Sequence, residues 1–162
     1  MFADVLLSQA RDLLAAARHA NARIVTAESC TGGLIAALLT EIPSSSDVME
    51  RGFVTYSNQA KQDLLGVPEE LLRAHGAVSE PICRAMAQGA LKNAPAQFSI
   101  AVTGIAGPGG GSPDKPIGLV YIAAANQAGH VIVRECRFGD IGRSRVRLHT
   151  VEKAIELLRG CL

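Results

Sequence analysis

Arg23-Ile24-Val25-Thr26-Ala27-Glu28-Ser29-Cys30-Thr31-Gly32-Gly33 is the stretch on which the fold turns. Arg23 to Ala27 reads as a short strand. Cys30 to Thr40 is apolar and rich in helix formers, so the strand passes directly into a helix through Glu28-Ser29. Upstream, Val5, Leu6, Leu13, Leu14 and Ala17 recur at helical spacing and predict an amphipathic first helix to about Ala20. Downstream, Pro43 and Ser44-Ser45-Ser46-Asp47 break the chain before Gly52 to Tyr56, whose alternation predicts a second strand. Asn58 is expected to cap a short helix carrying Lys61 to Leu65. Pro68 opens another with Glu69 and Glu70 in its first turn, and Gly76 closes it. Ser79-Glu80-Pro81 starts a longer helix to about Asn93, with Ser79 as cap.

Phe98 to Thr103 is a strand of the buried type, and the Gly104 to Pro113 stretch after it is a loop. Gly118 to Ala125 and His130 to Phe138 read as two strands around an Asn126-Gln127-Ala128-Gly129 turn, an antiparallel hairpin. Leu148, Val151, Ile155 and Leu158 share one face of a last helix, preceded by Gly142. After the leading helix the order β, α, β, α, α, α, β, β, β, α indicates a mixed sheet covered by helices, in the α/β class. A chain of 162 residues buries roughly 70% of its unfolded surface, enough for one self-sufficient domain spanning residues 1–162.

Composition narrows the function. Sixteen Lys and Arg against fifteen Asp and Glu, with no Trp, leave neither the basic excess nor the stacking surface that nucleic acid needs. The longest apolar run, Ile117 to Ala125, is less than half of the roughly 20 residues a membrane span requires. Asp4, Arg11, Asp12 and Arg18 interrupt the N-terminal apolar residues and forbid a signal-peptide core. Cys30, Cys83, Cys136 and Cys161 are scattered, without zinc-ligand spacing, and read as reduced thiols in a cytoplasm. No zinc site is expected from this spacing.

Ser29 and its neighbours lie at a strand-to-helix junction, where free backbone N–H groups can hold an oxyanion or a phosphate and a hydroxyl is well placed for attack. The same pattern also describes Ser29 or Thr31 capping a helix while Gly32 and Gly33 allow close packing. Cys30 is a rival nucleophile there. Tyr56 and Lys61, five apart, could supply a proton relay and a base of depressed pKa, or be a half-buried strand residue and a solvated helix residue. Ser112-Pro113-Asp114-Lys115 fits S-x-x-K formally but sits in a Gly/Pro loop, and Gly107-Pro108-Gly109 lacks the third glycine of a dinucleotide fingerprint. The Gly104 to Gly111 loop itself either closes backbone amides around an anion or is a flexible connection. Arg143 and Arg147 share a face at the start of the last helix, where cations oppose the dipole. They suit an anionic ligand or pairing with acidic residues such as Asp140.

Thr26 to Gly33, then Gly52-Phe53-Val54-Thr55-Tyr56-Ser57-Asn58 with Lys61, then Ala101 to Gly110 closely resemble the CinA carboxy-terminal domain family. Gly76-Ala77-Val78-Ser79, Lys115-Pro116-Ile117-Gly118 and Arg143 with Arg147 before Thr150 extend the resemblance over nearly the whole chain. The resemblance implies a three-layer α/β/α sandwich, usually a homodimer, in a stand-alone form without the family's additional N-terminal domain. It implies a nicotinamide-nucleotide amidohydrolase, converting nicotinamide mononucleotide and water to nicotinate mononucleotide and ammonia without a metal. Carried over residue by residue, it makes Ser29 the nucleophile, Lys61 the base and Tyr56 its assistant. Thr103 and Gly104 match the motif that lines the family's pocket. The N–H groups of Cys30 and Thr31 would hold the oxyanion, Gly32 is a further substrate-binding candidate, and the Gly104 to Gly111 loop, Gly107 included, with Arg143 or Arg147 is the candidate seat of the phosphate. The alternative is a non-catalytic module of the competence/damage-inducible type that binds a nucleotide or a protein partner.

Overall fold

A computed structural model describes residues 2–162. Five strands form one mixed sheet in the order β2-β1-β3-β4-β5, where β1 is Ile24–Glu28, β2 Met49–Val54, β3 Phe98–Gly104, β4 Leu119–Asn126 and β5 Val131–Arg137. β1 pairs in parallel with β2 and β3 on either side, and β3, β4 and β5 continue antiparallel. The hairpin expected at Asn126 to Gly129 is the β4–β5 connection.

The helices are α1 (Asp4–His19), α2 (Leu34–Thr40), α3 (Asn58–Leu65), α4 (Glu69–His75), α5 (Glu80–Lys92) and α6 (Arg143–Arg159), with a 3-10 turn at Ser45–Asp47. Alternation along the strands divides their side chains between two cores. Ile24, Ile100, Val102, Val120, Ile122 and Ala124 face α1, α2 and α6, whereas Val25, Ala27, Ala101, Ala123 and Ala125 face α3, α4 and α5. The result is a three-layer α/β/α sandwich. The two faces differ in bulk: β4 and β5 present alanines or partly exposed residues to α5, so that helix approaches the sheet closely.

Several boundaries differ from the sequence expectation. α2 begins at Leu34, not Cys30, because Gly32 and Gly33 adopt φ of +59° and +96° and spend a full turn of chain before the helix starts. β2 runs from Met49 to Val54 instead of Gly52 to Tyr56. Its pairing lasts only as long as β1 does, ending with Thr55 N–H on Glu28 O. Ser57, not Asn58, caps α3, its Oγ accepting from Ala60 N at 3.0 Å. Ser79 holds the N-cap position of α5, but its hydroxyl donates to Gly76 O. Leu148 is 39% exposed, and Val146 and Thr150 complete the buried face of α6.

Candidate active site

The C-terminal ends of the three parallel strands converge, which is where open α/β sheets place their ligand crevices. β1 delivers Glu28 and Ser29, β2 delivers Thr55 and Tyr56, and β3 delivers Thr103 and Gly104. Successive side chains leave opposite faces of the sheet, so Glu28 reaches the amides at the head of α2 while Ser29 meets α3 on the other side.

From α3, Lys61 extends its amine to Ser29 Oγ at 3.2 Å and to Thr55 O at 2.8 Å. The side chain is 1% exposed. Both partners are neutral oxygens, and no carboxylate pairs with the amine among the described residues. Burial therefore lowers the Lys61 pKa from its ordinary value. A hydroxyl in contact with a lysine held toward its neutral form is an arrangement for proton abstraction. Cys30 differs. Its thiol is buried and pushed up to about 12 by desolvation, so it is un-ionised at neutral pH despite its place in the turn.

Glu28 carries the role that sequence reasoning missed. Fully buried, its carboxylate accepts from Thr31 Oγ1 at 2.7 Å and from the amides of Gly33, Ile35 and Ala36 at 3.0, 3.0 and 2.9 Å. The head of α2 is thus filled from within, and its amides hold no external anion. A charged residue closing an otherwise apolar strand just before a helix was the available signal. The amides of Cys30 and Thr31 are left, with no acceptor for either among the described residues.

Tyr56 does not join Ser29 and Lys61. It is 58% exposed and its hydroxyl accepts from Arg143 NH2 at 2.9 Å. Arg143 NH1 donates to Gly107 O at 3.0 Å, so α6, the end of β2 and the glycine-rich loop meet at one guanidinium. Arg147 donates from Nε to Cys30 O at 3.1 Å and from NH2 to Thr31 O at 2.8 Å. Neither arginine pairs with Asp140. Thr103 Oγ1 donates to Ala77 O at 2.8 Å, tying β3 to the α4–α5 connection. A Cβ on Gly104 would stand 2.6 Å from Val120 Cγ2 and 2.9 Å from Leu119 O, so only glycine fits there. Among the described residues no three His, Cys, Asp or Glu side chains gather as a metal site, and no helix is long and apolar enough to cross a membrane.

Residues 7–162 match the model of the CinA C-terminal domain. The chain belongs to this family. The CinA-domain chain is 51% identical over 138 residues to the nicotinamide-nucleotide amidohydrolase PncC of Escherichia coli K12, covering 85% of this chain and 82% of that protein. It is also 49% identical over 140 residues to a CinA-like protein of Anaeromyxobacter sp. strain K, where the match covers 86% of this chain but 34% of the longer relative. The chain thus spans about a third of the length of the CinA-like proteins it matches. Among solved structures, the competence/damage inducible protein CihA from Agrobacterium tumefaciens superposes with a TM-score of 0.97 at 51% identity, covering 99% of this chain and 97% of that one.

Proposed function

We propose that this CinA domain is a serine amidohydrolase that converts nicotinamide mononucleotide and water to nicotinate mononucleotide and ammonia. The observation that carries the mechanism is the buried Lys61 amine on Ser29 Oγ without a carboxylate to hold its charge. The choice of substrate is supported by the similarity to the nicotinamide-nucleotide amidohydrolase of Escherichia coli.

Ser29 Oγ attacks the carboxamide carbon while its proton passes to Lys61 Nζ. The carbonyl oxygen becomes an oxyanion, received by the uncommitted amides of Cys30 and Thr31. Lys61 then returns the proton to the departing nitrogen, the C–N bond breaks and ammonia leaves. Water attacks the resulting ester with Lys61 again as base, releasing the carboxylate and restoring the Ser29 hydroxyl. The pyridinium charge of the substrate, close to the amine, favours neutral Lys61 in the complex.

The phosphate is seated by the Gly104 to Gly111 loop and Arg143, the cation that the loop and Tyr56 already hold at the rim. Tyr56 assists by fixing that guanidinium. One domain carries the activity as a homodimer with no metal or organic cofactor, assignments that the family resemblance supports, and it acts in the cytoplasm, a reading that the scattered cysteines support. Ammonia release from nicotinamide mononucleotide by the purified chain, abolished in Ser29→Ala, is the expected result. Tight nucleotide binding with no turnover would instead identify a binding module, and turnover that survives Ser29→Ala would overturn the nucleophile.

A further inference from the structure

Arg147 has the composition of a phosphate ligand, but its hydrogen bonds point to another task. In a trans peptide the C=O of one residue and the N–H of the next point in opposite directions, so whatever holds the carbonyl aims the amide. The only cis peptide bond among the described residues is Gly107-Pro108. Arg147 Nε holds Cys30 O, so the Thr31 N–H is turned away from α6. Its NH2 holds Thr31 O, which turns the Gly32 N–H the same way, onto Ser29 O at 3.0 Å. That last bond fixes the Ser29 carbonyl, and with it the direction of the Cys30 N–H. Each of the two free amides next to the nucleophile is therefore aimed by a bond made on the far side of its own peptide plane.

The same turn is gripped from the sheet side. Glu28 holds the Thr31 hydroxyl and the Gly33 amide. A carboxylate takes the Thr31 hydroxyl and the Gly33 amide, and a guanidinium takes the Cys30 and Thr31 carbonyls, while the Cys30 and Thr31 amides have no acceptor among the described residues. A Cβ on Gly32 would lie 3.5 Å from Arg147 NH2, so the guanidinium is packed against the turn and not merely near it.

We propose that Arg147, with Glu28 opposite it, is a positioning residue that aims the Thr31 amide at the oxyanion of the amide hydrolysis. This rests on the reading of Ser29 as nucleophile. A donor held in place before the reaction strengthens its bond only as charge develops on the carbonyl oxygen, so its loss lowers kcat and leaves KM nearly unchanged. A phosphate ligand does the reverse, because it binds ground state and transition state alike.

The test compares Arg147→Lys with the parent on nicotinamide mononucleotide and on nicotinamide riboside, the same amide without the phosphate. A lysine keeps the charge but presents no planar fork to two carbonyls. The expected result is a fall in kcat of tenfold or more, a change in KM below threefold, and the same fold-loss in kcat/KM on both substrates. Loss confined to the phosphorylated substrate would assign Arg147 to the phosphate and overturn the proposal. Glu28→Gln, which touches no substrate, is expected to show the same kcat-dominated pattern, with added guanidinium restoring part of the rate in Arg147→Ala. Unchanged kcat in folded Arg147→Lys and Glu28→Gln would also overturn it. Ser29→Ala run alongside separates the two ideas: retained turnover there refutes the nucleophile, whereas loss there with full kcat in Arg147→Lys refutes only the positioning role.

Discussion

Lys61 Nζ and Ser29 Oγ stand 3.2 Å apart at a position where the lysine is almost fully buried and meets no countercharge. Such an amine is costly to keep protonated, and the cost has a pH signature. Burial places the folded pKa below the ordinary 10.5, so between the folded value and 10.5 the unfolded chain binds more protons and stability rises with pH. Below the folded pKa the penalty is present in full. Cys30 and Cys83 act in the opposite sense above pH 9, since burial raises both thiols and the folded state then holds the extra protons. The difference between the parent and Lys61→Met isolates the lysine. Lys61→Met should match or exceed the parent in urea midpoint at neutral pH, because an apolar side chain of similar length relieves the charge, and the gap should close toward pH 10.5. A gap that does not vary with pH would contradict the buried, unpaired amine.

The same amine sets the activity profile. Only its neutral form accepts the Ser29 proton, so kcat/KM should rise with pH through the lowered Lys61 pKa. Loss of the base in Lys61→Met should reduce kcat by about 10²- to 10⁴-fold. Steady-state ammonia release across the pH range measures both effects.

Tyr56→Phe separates a proton relay from a rim contact. The phenol oxygen meets Arg143 and neither Ser29 nor Lys61, so removing it should leave kcat within about threefold while KM rises severalfold as the guanidinium loses its anchor. A hundredfold fall in kcat at constant KM would show that the phenol handles a proton in turnover.

Cys30→Ala tests the thiol directly. With its pKa near 12 and the side chain 5% exposed in the α1/α2/α6 core, Cys30 is an apolar packing group whose backbone amide alone faces the chemistry. The variant should retain most of the ammonia release and lose about 1 kcal/mol of stability, the typical cost of a small buried deletion. Iodoacetamide at neutral pH should leave the parent active; rapid inactivation with alkylation mapped to Cys30 would count against this.

The layers of the fold were legible because periodicity reports which face of an element is apolar, and here nearly every strand and helix obeys it. What remained hidden depended on contacts between distant segments. Tyr56 and Lys61 are only five positions apart, yet Tyr56 lies just past the end of β2 with its phenol turned outward to Arg143, 87 positions away, while α3 sends the amine inward. The sequence places the start of α2 too early because the apolar helix formers of Leu34 to Thr40 dominate the reading of Cys30 to Thr40, whereas the left-handed Gly32 and Gly33 and the Glu28 carboxylate make Cys30 to Gly33 a turn. Arg143 and Arg147 were legible as a pair on one helix face, but not that one would bind the loop carbonyl and the other the turn after Ser29.

The seat of Lys61 depends on how closely α3 approaches α5. A Cβ added at Gly89 in α5 would lie 2.0 Å from the backbone oxygen of Leu65, the last residue of α3, and 3.0 Å from its Cβ. Backbone cannot yield as a flexible side chain can, so Gly89→Ala must push α3 outward. Lys61 sits one turn before Leu65 and its carbonyl accepts the Val67 amide, so the displacement is carried to the amine. The expected loss is about 3 kcal/mol, the upper end for overpacking, or roughly 10 °C in Tm for a chain of this length. Gly109→Ala, where nothing lies within 4 Å, should leave Tm unchanged and serves as the control. Activity measured well below the melting transition should also fall in Gly89→Ala, because a shift of a few tenths of an ångström lengthens the 3.2 Å contact on which proton transfer depends. A Gly89→Ala protein with parental Tm and kcat would show that α3 reaches its place without this contact.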